Sequence, residues 1–148
     1  MAELPRGLRN NNPGNIIQGG QPYKGEVVPS KDSRFRQFIS IEWGYRALFH
    51  LLSRYIKYYK KNTIEKIISS WAPSSENNTE KYIDDVVKWT GISKNVIIGI
   101  SDTEKLVKIA FAISRKENGI MPSQAEINAG LNLLLSGQEP PVENKKKS

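Results

Sequence analysis

From Ile41 onward, apolar residues return at steps of three and four, and this periodicity constrains the fold more than any other feature of the chain. In "SIEWGYRALFHLLSRYIKYY" the residues Ile41, Tyr45, Leu48, Leu52, Tyr55 and Ile56 share one face. Asn62 is placed to cap "TIEKIISSWA", with Glu65 three residues on, and Pro73 stops it. Asn78 opens "TEKYIDDVVKWT" and Gly91 closes it. Ser101 and Glu104 have capping-box spacing before "KLVKIAFAISRKENG", and Ser123 and Glu126 repeat it before "INAGLNLLLSG". The pattern predicts five helices in sequence. Before them, from Arg6 to about Phe38, the chain is rich in Gly, Pro and Asn and has no helical period, which predicts loops and a short hairpin, with "QGGQPY" as turn. The expected architecture is mainly α: a single helical domain over 1–136 with a small irregular or hairpin lobe, and a flexible basic tail over 137–148.

Composition narrows the chemistry. The chain has 148 residues, enough for one domain with a real core. It has no cysteine and one histidine, His50, which removes disulfides and thiolate metal sites and makes a zinc cage a poor fit. No metal or organic cofactor is implied. No apolar run is long enough to span a bilayer, and the first residues lack the layout of a secretory signal. The net charge of +7 points to a polyanionic partner, whether wall polymer, nucleic acid or anionic lipid. The run "RYIKYYKK" could bind nucleic acid by charge and stacking, but it matches no named nucleic-acid motif, and a solvated basic face is favoured.

The candidate catalytic residue is Glu117. It ends the apolar stripe Leu106, Ile109, Ala110, Ile113 by one more four-residue step, so it projects from the buried face of its helix near the C-terminus. The helix dipole disfavours an acid there, and partial burial disfavours its ionised form, as a general acid requires. The bland alternative is a frayed end where Arg115 or Lys116 neutralises it. In "RNNNPGNI", Asn10, Asn11, Asn12 and Asn15 are either turn formers or amides able to bind sugar hydroxyls and acetamides. Tyr23 and Trp43 are candidate stacking platforms. Gly44, inside a helix, predicts the close passage of another segment. Trp71 reads as core, with sugar stacking as the other option. Glu42 is the candidate second carboxylate, with Glu26, Asp32 and Glu76 also considered.

These pieces resemble the lysozyme-like superfamily, in its glucosaminidase and lytic transglycosylase branches. There a helix ends at the catalytic glutamate, as "IAFAISRKENG" does at Glu117. A stretch similar to "NNPGNI" follows, and then one similar to "FRQFIS", with Phe35, Phe38 and Ser40. The chain also resembles small phage proteins, often labelled virion structural proteins, through "RNNNPGNI", "GYRAL" and "WAPSSENNTEKYI". In the enzymes the glutamate helix precedes the asparagine loop; here it follows, so the resemblance implies a circularly permuted lysozyme-like domain. Asn118 also stands where those enzymes usually carry serine.

The resemblance implies cleavage of the β-1,4 glycan backbone of peptidoglycan by a lytic transglycosylase, muramidase or glucosaminidase. Glu117 would serve as general acid and base, with Asn10, Asn11, Asn12, Asn15, Tyr23 and Trp43 binding substrate. The implied partners are peptidoglycan and other virion proteins. The protein would be made in the bacterial cytoplasm and reach the wall in the particle or at lysis. The alternative is a non-catalytic virion component that binds glycan, with a nucleic-acid-binding protein the third reading. On the sugar-binding expectation, Asn11→Ala lowers turnover while the melting temperature stays nearly unchanged; a large fall in melting temperature assigns Asn11 to the turn instead.

Overall fold

The computed structural model describes residues 3–75 and 77–141. Glu76, and residues 142–148 of the expected basic tail, lie outside the described residues. The chain is mainly α, with elements in the order α1 (Arg6–Arg9), β1 (Glu26–Val27), β2 (Gln37–Phe38), α2 (Ile41–Tyr59), α3 (Ile64–Trp71), α4 (Thr79–Thr90), α5 (Thr103–Asn118) and α6 (Gln124–Ser136). The two strands pair antiparallel, with Glu26 opposite Phe38, and a bridge between Ile17 and Phe35 extends the lobe. Among the described residues no helix is long and apolar enough to cross a membrane.

The five long helices stand where the periodicity puts them, and their ends follow capping chemistry. Ser40, Asn78 and Ser123 accept from the backbone N–H three residues on, and Gly91, Gly119 and Gly137 close α4, α5 and α6 in the left-handed conformation. Two expected caps move by one residue. Thr63, not Asn62, caps α3, its Oγ accepting from Lys66 N–H. Asp102, not Ser101, precedes α5, and its carboxylate accepts from Gly99 N–H rather than from the helix. The short α1 also interrupts the loop expected before Phe38.

α2 and α6 lie against each other, α4 packs on both α3 and α5, and α5 also meets α2 and α6. Their shared core contains Tyr45, Leu48, Phe49, Leu52, Ile68 and Ile113, all buried. A second, smaller cluster of Ile16, Phe38, Trp43 and Ala47 ties the irregular lobe to α2.

Two glycines set how closely these parts approach. A Cβ on Gly130 of α6 would overlap Tyr45 Cβ and stand 2.9 Å from Arg46 N, so α6 crosses α2 backbone to backbone. A Cβ on Gly44 would fall inside the carbonyl oxygen of Asn11 and 2.7 Å from Pro13 Cδ. The segment passing close to Gly44 is therefore the asparagine loop itself. Asn11 sits at φ +52°, in the left-handed region that asparagine tolerates, and its Nδ2 donates to the Phe38 carbonyl at 3.1 Å. Asn12 is fully buried; its amide donates to the carbonyls of Ile16 and Arg36 and accepts from Ile16 N–H.

Asn11 thus belongs to the turn. We expect Asn11→Ala to destabilise by about 1–2 kcal/mol in urea unfolding, through the positive φ and the lost hydrogen bond, with Asn11→Gly recovering the conformational part. Gly44→Ala should cost about 3 kcal/mol or more, since neither the Asn11 backbone nor the helix can retreat without unseating the loop.

Candidate functional site

Glu117 lies one residue before the end of α5, half-buried, and the asparagine loop is docked against it. Asn15 Nδ2 donates to Glu117 Oε1 at 2.8 Å, joining residues 102 apart in the chain. Tyr82, from α4, donates its hydroxyl to Oε2 at 2.8 Å. Tyr82 is 4 % exposed, and its phenol is held well above the usual range by burial first, then by the Glu117 charge and hydrogen bond, so it remains a donor. The next residue, Asn118, anchors the same loop by donating to the Pro13 and Ser114 carbonyls at 3.0 and 2.9 Å. The amide oxygens of Asn118 and Asn15 press on Gly7, standing 2.6 and 2.8 Å from where a Cβ would be.

The neighbouring cations do not neutralise Glu117. Lys116 pairs with Asp85 at 2.6 Å, and Arg115 lies over the Trp89 ring at 4.1 Å. The frayed, self-neutralised end is therefore not what forms. Glu117 opens onto a cavity of about 230 Å³ whose walls include Phe35, Trp71, Pro73 and Asn77. A second cavity, of about 280 Å³, adjoins it and shares Asn15, Ile17, Ser70 and Trp71, with Tyr23, Arg36 and Tyr55 beyond. Together they make a groove with Glu117 at one end, Tyr23 at the other and Trp71 between. Trp71 is fixed by Tyr55, edge-on at 6.2 Å, and by Gly14, where a Cβ would meet its ring.

The other candidate residues divide between the groove and the scaffold. Asn15 and Tyr23 line the groove with Glu117. Asn10, Asn11 and Asn12 do not: their amides bind Asp32, Phe38 and the Ile16–Arg36 backbone pair. Trp43 is 5 % exposed in the second core cluster, and with Glu42 it borders a separate cavity of about 530 Å³ against α6.

Two further acids are already bound. Glu26 pairs with Arg36 at 2.5 Å, both side chains nearly enclosed. Asp32 accepts from Arg6, Asn10 and the backbone N–H groups of Arg34 and Phe35. The Arg6 guanidinium, then those backbone donors, hold the Asp32 carboxyl well below the usual carboxylate range. Glu76 is outside the described residues. Among the described residues no group of three or more His, Cys, Asp or Glu is placed to hold a metal ion. Nothing local in the sequence singles out Tyr82, which the structure gives a carboxylate partner; Trp71 packs against both core clusters, as its reading as core expects, and also lines the groove wall.

No family model matches the chain. It is 39 % identical to Protein P5 of Pseudoalteromonas phage PM2 over 123 residues, which cover 81 % of this chain and 75 % of that protein. The chain belongs to the family of phage Protein P5. The phage resemblance of "RNNNPGNI", "GYRAL" and "WAPSSENNTEKYI" accords with that membership, and within this P5-family chain two of those stretches meet: Trp71 and Gly14 touch beside Glu117.

Two outcomes follow from the site. Tyr82→Phe leaves Glu117 Oε2 without its donor and should cost about 1–3 kcal/mol in thermal or urea unfolding. Because the folded pKa of Asp32 is depressed, its stabilisation is present above the unfolded carboxyl value of about 4 and is lost as pH falls below it. In Asp32→Asn the stability should accordingly fall less steeply with acid than in the wild type.

Proposed function

We propose that the chain is a phage virion-associated protein that acts on the bacterial cell wall, with the groove from Tyr23 past Trp71 to Glu117 taking the β-1,4 glycan of peptidoglycan. The observation that carries this reading is the setting of Glu117: a half-buried carboxylate at a cavity wall, held by two neutral donors while the adjacent cations bind elsewhere. A general acid needs fixed geometry and freedom from an ion pair, and among the described residues Glu117 has no ion-pair partner. Trp71 offers a ring to the apolar face of a sugar, and Asn77 and Ser70 offer polar groups to its edge.

In this reading Glu117 protonates the glycosidic oxygen as the bond to C1 breaks. The resulting carboxylate then takes the proton of the sugar's 6-hydroxyl as that oxygen closes on C1, giving an anhydro product. One group that gives and then accepts a proton suffices. The permuted lysozyme-like fold is part of the proposal. It is supported by the mainly helical chain and by the docking of the asparagine loop on the glutamate at the end of α5. A second reading, a virion component that binds glycan without cutting it, is favoured by the kinship with a phage protein and needs only the groove.

The test is mass spectrometry of purified peptidoglycan incubated with the wild type and with Glu117→Gln. Anhydro-muropeptides from the wild type, reduced roughly 10²-fold or more in Glu117→Gln, are expected. Reducing ends would replace the transglycosylase course by hydrolysis. Sedimentation with the wall without fragments would replace cleavage by binding, and equal release by both proteins would place the acid elsewhere.

A further inference from the structure

The end of the molecule where α2 runs into α3 is both cationic and apolar. Residues 54–66 and 92–101 hold six cations and one acid, Glu65. Among the described residues none of Arg54, Lys57, Lys60, Lys61, Lys66 and Lys94 forms an ion pair. Three of them lie instead over exposed rings: Arg54 and Lys57 over Tyr58 at 5.5 and 5.3 Å, and Lys61 over Tyr59 at 5.8 Å. A cation over an aromatic face keeps its charge available to a partner.

The segment after α4 is fastened to this end by its backbone. Ile98 N–H donates to the Asn62 carbonyl at 2.8 Å, and Glu65 N–H donates to the Lys94 carbonyl at 3.1 Å. Ile98 is fully buried in the main core, while its neighbours stay outside: Ile97 is 71 % exposed, and Val96 and Ile100 are exposed as well. Asp102, the next acid along, has its carboxylate on Gly99 N–H. Three exposed aliphatic side chains within five residues, at the same end as two exposed tyrosines and a set of cations without acid partners, are more than a solvated turn requires.

We propose that this end rests on an anionic lipid surface as a peripheral contact. The cations in the last turns of α2 meet headgroup phosphates, Tyr58 and Tyr59 take the headgroup level, and Val96 and Ile97 enter the acyl boundary. Charge alone would suit any polyanion. The aliphatic side chains decide among them, because they leave water at a lipid surface, whereas a nucleic-acid backbone or a wall polymer offers chiefly phosphate or other charge. The contact does not depend on cleavage by Glu117.

The test is flotation of the full chain with vesicles of phosphatidylcholine alone and of phosphatidylcholine with phosphatidylglycerol in equal amounts. Binding is expected only to the anionic vesicles, and it should weaken with added salt. Lys57→Gln and Lys60→Gln should each weaken it about fivefold. Ile97→Ser, at an exposed position that spares the fold, should weaken it about three- to tenfold. Failure to float with anionic vesicles would overturn the proposal. So would unchanged affinity in both Ile97→Ser and Tyr58→Ser, since the cations would then be acting alone. A short DNA duplex bound more tightly than the vesicles, and stripping the protein from them, would replace lipid by nucleic acid.

Discussion

The backbone-to-backbone approach at the start of α2 is the contact on which the rest depends. Gly44 receives the Asn11 carbonyl on one side, and Gly130 lets α6 reach Tyr45 and Arg46 on the other. Neither approach tolerates a Cβ. Because the loop is pinned there, Pro13 and Asn15 meet the end of α5, and Glu117 gains a neutral partner from the opposite end of the chain. The irregular N-terminal lobe, poor in regular structure, is thereby tied to α2 and α5. Asn12, fully buried with three hydrogen bonds, completes that fixing from within.

The consequence for chemistry is a sorting of charges. Asp85 binds two lysines, Asp32 is bound by Arg6 and backbone donors, and Glu26 is enclosed with Arg36. Glu117 is held differently, by an amide and a phenol, at a cavity wall. Arg46 is its basic counterpart: enclosed, with two donors that meet no acceptor among the described residues.

Much of the fold was legible because helices are written locally. The three- and four-residue steps, the caps at Ser40, Asn78 and Ser123, and the closing glycines each depend on neighbours in sequence. The displaced caps at Thr63 and Asp102 lie beside residues of equal capping ability, a choice made by the extended backbone at Thr63 and by the Gly99 contact at Asp102. The four residues of α1 are too few to show a period. The site was legible only in part for the same reason. Glu117 follows from its helix phase, but Tyr82 comes from α4 and Trp71 from the end of α3, and no local pattern announces that they converge. Nor does "NNN" reveal which amide turns inward: Asn12 does, Asn11 takes the left-handed turn, and Asn15, beyond the proline, reaches the carboxylate.

The most direct measurement of the account is an NMR titration of Glu117→Gln with an N-acetylglucosamine oligosaccharide, following the indole N–H signals of Trp71 and Trp43. A glycan groove at Glu117 predicts a saturable shift of Trp71, together with the Asn15 amide, while Trp43 stays still. A shift confined to Trp43 would move the glycan to the cavity against α6. No shift at either tryptophan would remove glycan from the groove altogether.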